Sequence, residues 1–309
     1  MQARLRGRLA AASLALFAAF LWSTYYLFVL GVSPAARPSA VLFYPFVGGG
    51  LAYTLWVVAH GHGRLLARTF AEGRAYVRVG LLLAMQLSVL AATYLTGPVD
   101  ASLLSLLGDV VATPIVVAAI FAEGREELGA PLFVAGLVLS LAGGTLAIVG
   151  GHGLAAVHDL GWLVVIAVPV AVAFYFVLSA RAGATAPVAV VVAQSMVCAA
   201  VGAAVLSPLL PGGVAALVTV GAVPLALLLV NGLLSFFVAP LLYFRSIERA
   251  GFVFPPMMMT GIPVFTLLLS AAVLGIPPAT LALLGVPVAA LGGIVALTAG
   301  ARDPPGHPP

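Results

Sequence analysis

One carboxylate, Asp109, stands near the middle of an almost wholly apolar stretch, YLTGPVDASLLSLLGDVVATPIVVAAIFA, residues 94–122. A charge at that depth in a bilayer costs about 2.5–3.5 kcal/mol on insertion scales, so an acid there points to function by default. Two kinds of chemistry suit it: holding a substrate ammonium, or exchanging a proton during transport. The structural alternative is an acid that braces helices through a hydrogen bond to a Ser or Tyr. A related stretch recurs 149 positions on, over 243–271, where Met258 replaces the acid (258 − 109 = 149). Any site built on Asp109 is therefore asymmetric.

Few other polar groups sit inside apolar runs. The amides of Gln86, Gln194 and Asn231 can hydrogen-bond a zwitterionic substrate. They can equally hold helices together, for about 0.6 kcal/mol each. Aromatic side chains gather at Trp22, Tyr25, Tyr26, Tyr44 and Phe46, with Phe174, Tyr175 and Phe176 in the matching place of the second half. Trp22 lies too deep for the interfacial belt where Trp usually sits, and a wall of such rings suits an apolar or aromatic ligand. Pro114 and Pro263 are expected to kink their helices, and Gly48-Gly49-Gly50, Pro169, Pro240 and Pro255-Pro256 mark further breaks. Met257, Met258 and Met259 add adaptable side chains. These residues place a cavity near Asp109, Pro114, Met258 and Pro263. Simple lipid contact is the alternative for the Met run.

The inventory argues against an enzyme. All five histidines fall in loops or the tail, and paired carboxylates are absent from the apolar runs. Gly143-Gly144 lies in an apolar helix and follows no strand, so a nucleotide loop is unsupported. The single Cys198 lacks the spacing of a metal site and reads as a small core residue. No cofactor or metal is expected, and ATP-driven transport would need a partner chain.

The elements that position these groups follow from composition. Of 309 residues, 63% are hydrophobic and 7% charged, with mean hydropathy +1.22. A soluble surface needs roughly 25% charged residues, so this is a polytopic membrane protein. Ten apolar segments of membrane length are predicted, at 9–30, 38–59, 78–96, 99–121, 130–150, 160–180, 187–207, 222–244, 250–274 and 278–299. The first is too long for a cleaved signal and reads as a retained helix. Residues 208–223 read as a loop or half-helix. The loop 60–77 reads either as a surface helix or as a solvated linker, and 301–309 as a disordered tail. All 13 basic residues are arginine and sit at segment ends, so the pI near 9.6 reflects topology and not nucleic acid. With the N-terminus inside, twelve arginines fall on the inner side and only Arg37 on the outer. That places both termini in the cytoplasm and an even number of spans in the plasma membrane.

Shifting the chain by 149 aligns its helix-breaking and aromatic residues without a gap. Tyr26 falls on Tyr175, Pro38 on Pro187, Tyr94 on Tyr243 and Pro114 on Pro263. Gly136, Gly143 and Gly144 fall on Gly285, Gly292 and Gly293. We read residues 1–150 and 151–300 as two copies of a five-helix unit. An odd number of spans turns the second copy upside down, the inverted arrangement of many secondary carriers.

The residues also resemble a known family. FAAFLWSTYYLFV is similar to the opening helix of EamA-type carriers, which belong to the drug/metabolite transporter superfamily. Residues 100–151 resemble their fourth and fifth helices, with a mid-helix Pro and an acidic corner, here Phe121-Ala122-Glu123-Gly124-Arg125-Glu126. The second copy resembles the matching half, but its corner, Leu274-Gly275-Ile276-Pro277-Pro278, has lost the acid. The resemblance implies ten helices in two inverted repeats around a central cavity, and export of amino acids, other metabolites or drugs. The resulting expectation is a secondary carrier of small organic metabolites working by alternating access. Protons are a candidate coupling ion resting on Asp109 alone. A lipid or lipid-linked sugar flippase, and a non-transporting scaffold or channel, are the alternatives. Substrate, direction and oligomeric state are open.

Overall fold

The computed structural model describes residues 2–32, 35–107, 112–113, 115–116, 119, 129–152, 161–183, 186–250 and 254–299. Asp109, Pro114 and the acidic corner 121–126 lie outside them. Among the described residues there is no strand. An apolar chain in lipid must satisfy its backbone polar groups within each segment, and helices do so.

In chain order the helices are α1 (Gln2–Val32), α2 (Pro38–Ala59), α3 (Gly63–Thr69), α4 (Gly73–Thr96), α5 (Pro98–Leu107), α6 (Pro131–His152) and α7 (Gly161–Ala182). They continue with α8 (Val188–Leu206), α9 (Ala215–Val218), α10 (Ala222–Asn231), a π-helical turn (Gly232–Val238), α11 (Ala239–Ala250), α12 (Phe254–Met258), α13 (Gly261–Leu274) and α14 (Thr280–Ala299). Six described helices are long and apolar enough to cross a membrane: Leu9–Val32, Pro38–Ala59, Gly73–Thr96, Val188–Leu209, Ala222–Ala250 and Pro255–Leu274. Three shorter apolar helices accompany them. The chain is an all-helical, multi-pass membrane protein.

Sequence signals set the boundaries. Pro38, Pro98 and Pro131 open their helices, where the missing N–H has no intrahelical partner to lose. Gly97 at φ 91° makes the tight turn between α4 and α5, and Gly275 at φ 63° caps α13 in the left-handed region. The loop 60–77 contains the surface helix α3, which buries Leu66 and Thr69. The stretch 208–223 holds a 3-10 turn and α9.

Glycines act here as contact points. α2 runs unbroken through Gly48-Gly49-Gly50, contrary to the expectation that they loosen it. A Cβ at Gly48 would lie 2.7 Å from the Leu229 carbonyl oxygen, and one at Gly49 would lie 2.6 Å from Phe236 Cβ. Gly48 and Gly49 let α2 seat against α10 and the π turn at backbone distance, while Gly50 faces Met196 and Val197 of α8. α6 and α14 meet in the same way. A Cβ at Gly143 would lie 2.7 Å from Gly285 O, and one at Gly292 would lie 2.6 Å from Gly136 O. Ser140 Oγ donates to the Ala289 carbonyl across the same contact, at 3.0 Å.

The π turn leaves one carbonyl without a backbone donor. Ala239 N–H donates to Leu234 O, five residues back. In that register the donor for Ser235 O would be residue 240, which is proline and has no N–H. The freed carbonyl is taken by Trp22, whose Nε1–H donates to it at 2.9 Å. Ser235 Oγ in turn donates to Leu21 O at 3.1 Å. α1 and the π turn are thus stitched together in mid-span.

Candidate functional site

A cavity of about 60 Å³, room for a few water molecules, sits inside the helix packing. α1 contributes Trp22, Tyr25 and Tyr26; α4 contributes Met85, Gln86 and Val89; α5 contributes Ser105. Val172 and Phe176 come from α7, Ser235 and Phe236 from the π turn, and Ile262 from α13. Five of the twelve lining residues are aromatic, four are aliphatic, and Gln86, Ser105 and Ser235 are polar. Tyr26 and Ser105 share a hydrogen bond of 2.9 Å between their hydroxyls. Gln86 Oε1 has no partner among the described residues. Gln86 and Ser235 are 149 residues apart (235 − 86 = 149), yet they face the same space.

Of the residues singled out from the sequence, Trp22, Tyr25, Tyr26, Gln86 and Phe176 come together at this cavity. Pro263 is buried beside Ile262, in the first turn of α13. Met258 packs against the core outside the cavity. Tyr175 is fully buried in α7, next in sequence to the lining residue Phe176. Tyr44 donates its hydroxyl to the Leu217 carbonyl, tying α2 to α9 away from the cavity. Gln194 is buried in α8 with Nε2 donating to Cys198 Sγ at 3.5 Å and Oε1 unpartnered. Asn231 is buried where α10 meets the π turn, and neither of its amide atoms has a partner among the described residues.

Sequence reasoning missed Ser105, Ser235 and Met85. Serines are common in membrane helices, where they bond back to their own backbone, as Ser105 Oγ also does to Ala101 O at 3.1 Å. The signal that could have found Ser235 is the repeat itself, because it occupies the position equivalent to Gln86.

A ring cluster closes one end of the cavity. Trp22 meets Phe176 at 5.6 Å and Tyr243 at 5.2 Å between centroids, and Phe176 lies 5.8 Å from Phe244. Beyond the cluster is a second recess of about 190 Å³, lined in part by Tyr53, Trp56, Phe244, Arg245 and Glu248. To the side, Phe46 and Phe236 pack edge to face at 5.1 Å. Phe236 faces the cavity, while Phe46 faces an apolar groove of about 630 Å³ between α2 and α8. Leu51 and Val201, both well exposed, border that groove. Among the described residues no group of three or more His, Cys, Asp or Glu side chains is arranged to hold a metal.

The EamA-like transporter family model matches residues 159–298. No curated protein matches the chain. Eight chains of solved structures match it. One crystal structure superposes with a TM-score of 0.72 at 22% identity, covering 96% of this chain and 100% of its own. At that identity the likeness speaks for the fold alone.

Proposed function

Starting from a chain that belongs, through residues 159–298, to the EamA-type carriers of the drug/metabolite transporter superfamily, we propose a secondary carrier. It moves small organic metabolites across the plasma membrane by alternating access around the Trp22–Gln86–Ser235 cavity. Amino acids or similar compounds are its leading substrates, and export is its leading direction. Ten spans form two inverted halves, 1–150 and 151–300, with both termini in the cytoplasm. The observation that carries this reading is that Gln86 and Ser235, equivalent under the 149-residue shift, both face one cavity. The reciprocal contacts of Gly143 with Gly285 and of Gly292 with Gly136 support a pseudo-dyad between the halves.

At about 60 Å³ the cavity is too small for a metabolite, so this conformation reads as near-closed. The ring cluster of Trp22, Phe176, Tyr243 and Phe244 is the gate toward the arginine-bearing helix ends. Parting it would join the cavity to the recess at Arg245.

The groove between α2 and α8 favours a second reading. It is apolar and faces outward, and Phe46 in its wall packs against Phe236 in the wall of the cavity. A flippase for lipids or lipid-linked sugars would use such a sideways opening. Purified protein in liposomes, given a panel of amino acids, other metabolites and fluorescent lipids with and without an imposed pH gradient, separates these readings. A metabolite carrier takes up members of the soluble panel. A flippase scrambles or moves lipid only, and a scaffold moves nothing. Uptake indifferent to the gradient removes protons from the mechanism.

A further inference from the structure

The ring cluster closes the central cavity toward Arg245, and the opposite end is closed by different chemistry. α1 gives the direction. Ser246 Oγ on α11 donates to Ala11 O at 2.8 Å, so the start of α1 lies beside the arginine-bearing end of α11. Tyr26 is four residues beyond Trp22, one turn or about 6 Å farther from that end. α5 reaches the cavity from the other side, because it starts at Pro98, directly after the Gly97 turn. Ser105 is the residue it places in the lining. The two side chains meet across the wall. Their hydroxyl oxygens are 2.9 Å apart, and both residues are buried. Tyr25 packs edge to face on Tyr26 at 5.6 Å between centroids and leans against Phe236 at 5.9 Å.

The bond has a direction. Ser105 has a single O–H, and it donates to Ala101 O at 3.1 Å. Its oxygen is therefore the acceptor, and Tyr26 is the donor. The second half of the chain cannot repeat this pair. Tyr175 takes the place of Tyr26 (26 + 149 = 175), but Phe254 takes the place of Ser105 (105 + 149 = 254) and offers no hydroxyl. The two ends of the cavity are thus closed unequally, by stacked rings toward Arg245 and by a hydrogen bond toward Gly97. Rings that part lose only contact. A hydroxyl that leaves its acceptor in a dry wall must find another, from water or from a molecule that enters. We propose that the Tyr26–Ser105 hydrogen bond is a latch between α1 and α5 that closes the cavity at the Gly97 end. It yields when an entering molecule presents an acceptor oxygen to Tyr26, so opening of this end is tied to occupancy. The proposal rests on the carrier reading of the cavity, but its readout does not depend on transport.

The test places a reporter, Val89→Cys, in the cavity lining on α4, in a Cys198→Ala background. The full chain in oriented proteoliposomes is treated with a membrane-impermeant maleimide from one side at a time. Tyr26→Phe and Ser105→Ala are each expected to raise labelling from the Gly97 side about threefold to tenfold, the effect of losing one neutral hydrogen bond. The rate from the arginine-bearing side is expected to stay at the parental value. Ser105→Thr keeps the acceptor and is expected to label like the parent. Ser105→Ala serves if the tyrosine variant does not fold. Labelling at the parental rate in the folded variants, zero included, overturns the latch. So does an equal rise from both sides, which would mean general loosening. Uptake of compounds with unaltered labelling removes the latch alone. A one-sided change in a protein that takes up no compound removes the carrier reading alone.

Discussion

Gln86 faces the cavity with its carbonyl oxygen unpartnered, so Gln86→Leu strands no other group. If the amide serves a substrate, the variant keeps or raises its melting temperature while uptake falls at least tenfold. An amide that held helices together would instead lower the melting temperature. Trp22→Phe behaves differently, because it abandons the Ser235 carbonyl that Pro240 already leaves without a donor. A buried acceptor left unpaired costs about 1–3 kcal/mol, and a clear fall in thermal stability in detergent is the expected result. Asp109→Asn is expected to abolish or uncouple uptake while leaving folding intact; full gradient-driven uptake by a well-folded Asn variant removes Asp109 from the mechanism. Trp22, Tyr26 and Gln86 were legible in the sequence because large or polar side chains are rare in apolar runs. Arg78 reads from the sequence as a topology signal by its type and its place near a segment end, and only packing reveals that its side chain is buried.

At the scale of elements, helix positions follow from hydropathy and from prolines at helix starts. The predicted 38–59 segment coincides with α2. Less legible was the use of glycine, since Gly48-Gly49-Gly50 could read as a weak point. Its role as a contact surface appears only when Leu229 and Phe236 arrive from nearly two hundred residues away. The π turn was also hidden, as it depends on the register of Leu234 and Pro240 and on the reach of Trp22. Pro240→Ala restores an N–H that can compete for the Ser235 carbonyl. The variant is expected to be more thermostable and slower in uptake; unchanged uptake would mean that the π turn is not used. At the α6–α14 contact, Gly143→Ala and Gly292→Ala each push a methyl toward a backbone carbonyl. Overpacking of this kind costs about 1–3 kcal/mol. A pseudo-dyad predicts losses of similar size from the two substitutions, read by thermal unfolding; one tolerated and one damaging substitution would argue against it.

For the whole molecule, the account joins a small aromatic cavity, a ring cluster that closes it on one side, and two halves that share its walls. The reach of the sequence was greatest here for class, because 7% charge in 309 residues excludes a soluble surface. It was least for the state of the cavity, since how closely the helices approach one another leaves no mark on composition. Alternating access demands that one lining position be reachable from each face of the membrane in turn. Ser105→Cys in a Cys198→Ala background tests this directly, because Ser105 lines the cavity and the exchange is nearly isosteric. Oriented proteoliposomes would be treated with a membrane-impermeant maleimide added from one side or the other. The account predicts labelling from both sides, with substrate altering both rates and labelling blocking uptake. Labelling from a single face only, in a variant that still transports, would contradict it.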